Sequence, residues 1–190
     1  MITEKSSASA SISTAPYASS IDTANTKKVL FTCSAGAVVR PENILCDRAD
    51  GGHLVVNPPR PVWERNCLTP NEIALWSLLV AATGQAMLDV LPQLKDACLN
   101  YWEAGNWAQN DQAAPIGPKD VYEHRRVHLH IFGRSRHAKH PDWKWGESPR
   151  FPAFECRLGW SSALLPLNSA ESLAVASRCK ELFTLYCANI

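Results

Sequence analysis

Between Arg126 and Phe132 the chain alternates strictly, with apolar Val127, Leu129 and Ile131 separating Arg126, His128, His130 and Phe132. Period-two alternation marks a strand with two unlike faces. Residues two apart on a strand point the same way, roughly 7 Å from each other. A strand over 121–132 therefore sets Arg126, His128 and His130 in a row on one face. Two neighbouring imidazoles on a rigid strand suit three jobs: holding a metal, moving protons, or attacking phosphorus with one ring while the other supports it. The surroundings choose among these. From His124 to His140 the chain carries Arg125, Arg126, Arg134, Arg136 and Lys139 and no Asp or Glu. That local charge is hidden in a net charge of +1. It favours an anionic ligand, most simply a phosphate, and places a divalent cation poorly, so no metal is expected.

The other elements mix hairpins with helices. Residues 28–32 and 37–40 read as short extended pieces. Asn43 to Arg48 and His53 to Asn57 read as two strands joined by a turn at Ala49 to Gly52, closed by Pro58, Pro59 and Pro61. Thr69, Pro70 and Glu72 form a helix start with a capping box. Ile73, Trp76, Val80, Thr83 and Met87 follow at helical spacing, and Pro92 ends the run. Tyr101 to Asn110 is a candidate strand interrupted by Gly105, and Gly133 to Pro152 an ordered loop. Asn168 with Glu171 caps a C-terminal helix whose inner stripe is Leu173, Ala176, Cys179, Phe183 and Tyr186. Without a βαβ rhythm, this order predicts an α+β domain, an antiparallel sheet with packed helices.

A chain of 190 residues with 46% hydrophobic and 19% charged residues has the balance of one globular domain. No apolar stretch is expected to reach the length needed to cross a bilayer. Residues 1–27, rich in Ser and Ala, read as a disordered tail, with one domain over 28–190. The seven cysteines include no CxxC pair, which points to buried thiols in a reducing compartment and a cytoplasmic location.

The order of parts resembles the histidine-triad (HIT) superfamily of nucleotide hydrolases and transferases. The resemblance runs over about residues 40–147. It rests on Ile44 to Asp47, on Gly52-His53 leading an apolar strand to Pro58, on the capped helix from Thr69, on Asn106 to Asn110, and on Val127 to Gly133 with its two histidines. Gly133 to Arg136, then Trp143 and Trp145, are similar to a basic, Trp-containing tail in some bacterial members.

The resemblance implies that His128 attacks the α-phosphorus of a nucleotide and that His130 contacts the phosphate. It also implies that Asn110 helps to hold the scissile group and that Leu45 and Val55 lie near the base or ribose. Arg126 stands where the family has its first histidine, Pro61 where many members have another, and Glu123 near a position that is often serine. A guanidinium stabilises an anion but delivers no proton near neutral pH, which implies a substrate with a good leaving group. Arg126, His128 and His130 are thus the candidate catalytic set. Arg134, with Arg136 and Lys139, is a candidate phosphate-attracting group. Trp143 either stacks on a base or packs its loop. His53 reads as a structural residue at a strand start, and His124, His137 and His140 as loop residues.

The implied activity is a nucleotide-phosphate hydrolase or nucleotidyltransferase acting through a nucleotidyl-histidine, without a cofactor. The alternatives are a non-catalytic nucleotide-binding or regulatory protein on the same fold and, behind it, an HxH metalloprotein. The expected partner is a nucleotide or nucleotide-phosphate ester. A homodimer is left open, and neither a membrane nor a nucleic acid polymer is expected.

Overall fold

The computed structural model describes residues 28–105, 111–112, 114, 116–122, 126–153 and 156–189. The Ser/Ala-rich segment and Asn110 lie outside them. Five antiparallel strands form one sheet: β1 (Lys28–Cys33), β2 (Gly36–Arg40), β3 (His53–Asn57), β4 (Cys98–Ala104) and β5 (His128–Arg134). Their spatial order is β1-β2-β3-β5-β4. Among the described residues, three α-helices accompany the sheet: α1 (Pro70–Val90), the short α2 (Arg157–Ser162) and α3 (Ser169–Cys187). This is the expected α+β architecture.

Both capping boxes are present. The Thr69 hydroxyl accepts from Glu72 N while the Glu72 carboxylate accepts from Thr69 N. Asn168 and Glu171 do the same at α3. Each satisfies amides that a helix start leaves without intrahelical partners. At 21 residues with a mean hydropathy of 1.5 over its most apolar window, α1 is long and apolar enough to cross a membrane, contrary to expectation. Here it is a core helix. Trp76, Leu79, Ala82, Ala86 and Met87 are each fully buried, and they pack with Leu54, Val56, Leu129 and Ile131 of the sheet. The α3 stripe keeps the expected Cys179 and Phe183 and adds Leu182, but its first half shifts by one position: Ser172 and Val175 are buried, while Leu173 is exposed.

Two strand expectations are corrected. Asn43 to Arg48 is not a strand and does not pair with β3; β3 lies between β2 and β5. The Asp47 side chain accepts from Ala49 N, and its carbonyl accepts from Asp50 N and Gly52 N. These local bonds turn the segment into a 3-10 turn over Arg48–Asp50 instead of a ladder. The histidine strand begins at His128, not Val121, and runs on to Arg134.

The pairing register sorts the sheet into two faces. Val55 stands opposite His130, and His53 opposite Phe132. Trp102 stands opposite His130 on the other side, and Ala104 opposite His128. Directly opposed residues share a face. His128, His130, Phe132, His53, Val55 and Trp102 therefore lie away from α1 and α3. A second, smaller core covers part of this face, built from Leu45, Cys46, Phe132 and Trp143, with Trp102 and Trp160 packed on it.

Candidate functional site

Three histidines join across two strands. His53 Nε2 lies 2.8 Å from His130 Nδ1, and His130 Nε2 lies 2.9 Å from His128 Nε2. The far ends are held by backbone. Leu45 N donates to His53 Nδ1 at 3.1 Å, and His128 Nδ1 lies 2.7 Å from the Arg126 carbonyl oxygen. A backbone amide only donates and a carbonyl only accepts, so these two ends dictate every proton position in between. His53 accepts at Nδ1 and donates from Nε2. His130 accepts at Nδ1 and donates from Nε2. His128 donates from Nδ1 and presents a lone pair at Nε2. That is the tautomer required of a nucleophilic imidazole.

Burial grades along the chain of rings. His53 is 2% exposed and His130 is 6% exposed, whereas His128 is half-buried. Burial, reinforced by His128 and by the positive charge of Arg157, pushes the His53 pKa down to about 3, so its ring is neutral. Trp102 stacks on His130 with centroids 5.1 Å apart, and Phe151 packs against Trp102 at the same separation. Approach from that side is closed, leaving the His128 end as the accessible one. A cleft of about 490 Å³, lined by Trp63, Arg65, Ile73, Glu103, Ala104 and Val127, lies mainly on the α1 side of the sheet, and none of the three histidines lines it. Cys46, buried in the small core with Phe132 and Trp143, has its thiol pKa pushed up by burial and is no competing nucleophile.

The structure brings together His128, His130 and Val55, with Leu45 joined to the same network through its main chain. Leu45 and Val55 are 2% and 5% exposed. The Leu45 amide holds His53, and its carbonyl accepts from Trp160 Nε1 at 3.1 Å. Arg126 is not in the histidine row. Its guanidinium turns to the carbonyls of Val121 and Tyr122, and only its own carbonyl meets His128. Arg134 lies at the far end of β5, six residues from His128, or about 20 Å along an extended strand. It is buried, donating to Asn100 Oδ1 and to the carbonyls of Lys144 and Glu147. Trp143 is 1% exposed and packs against Phe132 and Arg134, so it offers no ring to a base. Arg136 lies over Trp145 and donates to the Asp96 carbonyl. The amides of Lys139 and His140 anchor on the buried Asp50 carboxylate. The basic stretch read as a phosphate-attracting cluster is thus spread through a structural loop.

This reassignment is testable by unfolding. Arg134→Ala strips donors from three acceptors in a buried setting. It is expected to cost roughly 3 kcal/mol in a urea titration. A loss under about 0.5 kcal/mol would return Arg134 to the class of surface charges.

Two participants were not anticipated from sequence, His53 and Trp102. A glycine directly before His53, itself opening an apolar strand, was the available signal for the first. Among the described residues no group of three or more His, Cys, Asp or Glu side chains is placed to hold a metal ion.

No protein-family model matches the chain, and no curated protein matches it. Among solved structures, it is similar to a histidine triad protein from Bradyrhizobium japonicum, at 18% identity and a TM-score of 0.41, over 72% of this chain and 87% of that one. It is also similar to a histidine triad (HIT) protein from Sinorhizobium meliloti 1021, again at 18% identity and a TM-score of 0.41, over 80% of this chain and 87% of that one.

Proposed function

We propose that the chain is a nucleotide-phosphate hydrolase or nucleotidyltransferase in which His128 attacks the α-phosphorus. The observation that carries this reading is the direction of the three-histidine hydrogen-bond chain, which places the His128 lone pair at Nε2, on the ring nearest to solvent. In the first step the Nε2–P bond forms and the bond from phosphorus to the leaving oxygen breaks, its electron pair departing with the leaving group. His128 keeps its Nδ1 proton on the Arg126 carbonyl, which offsets positive charge developing on the ring. His130 Nε2–H, which points at His128 in the resting state, turns to a phosphoryl oxygen. In the second step water attacks phosphorus, the P–N bond breaks, and its pair returns to Nε2. The water proton passes to solvent. An acceptor nucleophile in place of water makes the same reaction a transfer.

The geometry also bears on the leaving group. A proton lent by His130 cannot be replaced along the ring chain, because that chain ends on a backbone amide. A second proton on His130 Nδ1 would face the Nε2–H of neutral His53. His130 therefore supplies a hydrogen bond and not a proton, which suits leaving groups stable as anions, such as pyrophosphate or polyphosphate. The nucleotide class itself rests on the resemblance of the motif order. Of the seven cysteines only Cys46 and Cys179 are buried, contrary to the expectation of buried thiols, while Cys67, Cys98 and Cys156 are exposed; a reducing, cytoplasmic setting is proposed from the cysteine pattern of the sequence alone.

One observation favours a second reading, a nucleotide-binding protein without turnover: His130 is covered by Trp102, beside Phe151, and only 6% exposed. Turnover assays with nucleoside triphosphates, dinucleoside polyphosphates, adenylates and phosphoramidates separate the two. Release of pyrophosphate or nucleoside monophosphate, abolished by His128→Ala, is the expected result. Saturable nucleotide binding with no product from any of the four classes would establish the binding protein instead.

A further inference from the structure

We infer that Gly105 is a positioning residue for His128. It acts by letting the Arg126 carbonyl reach the imidazole Nδ1–H, and this role rests on His128 being the nucleophile as proposed above. β4 ends at Ala104, directly opposite His128, and Gly105 follows with φ +138°. A Cβ built on Gly105 would lie 1.8 Å from the Arg126 carbonyl oxygen, 2.2 Å from its carbon and 2.7 Å from Val127 N. All three are backbone atoms, so no side-chain rotation relieves the overlap. The same oxygen lies 2.7 Å from His128 Nδ1.

The Arg126 peptide has little room to retreat. Val127 N is bound to the Val62 carbonyl at 3.1 Å, and the Arg126 guanidinium holds the carbonyls of Val121 and Tyr122. Any side chain at position 105 must therefore push the acceptor away from the imidazole. Without that acceptor the Nδ1 proton has no fixed partner. The tautomer with the proton on Nε2 then competes, and it has no lone pair aimed at the substrate. Glycine here serves two needs at once, a backbone region that L side chains avoid and a near-contact between two main chains.

The test reads the tautomer directly, by two-bond nitrogen–proton correlation spectra of histidine-labelled protein with the His128 ring assigned by mutation. Wild type is expected to show the proton on Nδ1. Gly105→Ala is expected to shift His128 toward the Nε2–H form and to lower kcat roughly 10²-fold, the scale of a misplaced catalytic group, with KM moved little. Gly117→Ala controls for backbone strain. Its φ is +113°, but an added Cβ meets nothing within 4 Å, so it is expected to leave the tautomer unchanged.

A folded Gly105→Ala protein that keeps the wild-type tautomer overturns the inference. If that variant does not fold, the wild type decides: the Nδ1–H form supports the role, and the Nε2–H form overturns it. Absence of turnover in wild type with the Nδ1–H form intact would count against the enzymatic reading and leave the positioning geometry standing.

Discussion

His128→Ala is expected to lower turnover by at least about 10³-fold, as removal of a covalent nucleophile does, while nucleotide affinity stays within about tenfold, roughly 1.4 kcal/mol. The separation follows from what the ring does in each state. Before reaction the His128 lone pair accepts a hydrogen bond from His130, so the resting enzyme gains little ground-state affinity from it. In the transition state the same lone pair forms the bond to phosphorus, and among the described residues no other nucleophile stands at the accessible end of the ring chain. Cys46 is buried and protonated, and the Arg126 guanidinium faces away. His130→Ala differs. It removes the donor meant for a phosphoryl oxygen and strips partners from both His128 and His53, so binding and turnover should both fall. Single-turnover reaction with an α-labelled nucleotide, quenched without acid to preserve the P–N bond, should leave label on wild type and none on His128→Ala. Hydrolysis by His128→Ala at the wild-type rate would eliminate the covalent route and favour direct attack by water.

The parts of this site that were readable in sequence are those encoded locally. The alternation from Val127 to Phe132 placed His128 and His130 on one face, and Thr69 with Glu72 marked a helix start to the residue. The parts that were not readable depend on pairing across the chain. His53 and His130 are separated by 77 positions, and only the β3–β5 register, with Val55 opposite His130, brings their rings into contact. Arg126 sits two positions before the strand that forms, although its alternation implied a place inside it, so its main chain and not its side chain enters the site. Trp143 and Arg134 fall in a polar, basic stretch that reads as an ordered loop. Phe132 supplies an apolar neighbour for the first, and three acceptors enclose the second, neither of which is visible from local composition. The α3 stripe was displaced because Leu173 drew the reading toward hydrophobicity, whereas position relative to Val175, Cys179 and Leu182 buries Ser172.

A second large effect is expected in the pH dependence of stability. His53 titrates near 6.5 when exposed and is pushed down to about 3 in the fold, first by burial, then by His128 and Arg157. Between these values the unfolded chain binds a proton that the folded chain refuses. The stability conferred by neutral His53 is therefore complete above pH 6.5 and is lost as pH falls toward 3, at up to about 1.4 kcal/mol per pH unit. By pH 5 the loss is about 2 kcal/mol, a large share of the margin of an ordinary domain. Carboxylates add to the slope at lower pH, so the difference between wild type and a non-titrating variant is the quantity to measure. His53→Gln should be less stable than wild type at pH 7.5, by about 2 kcal/mol, because the Leu45 amide and His130 Nδ1 lose well-placed partners. Its denaturant midpoint should then change less between pH 7 and pH 5, so the two stability curves converge on acidification. Parallel curves over that window would mean that His53 gains its proton in the folded protein. The ring would then donate from both nitrogens, in conflict with the Leu45 amide, and the directed hydrogen-bond chain that gives His128 its lone pair would not hold.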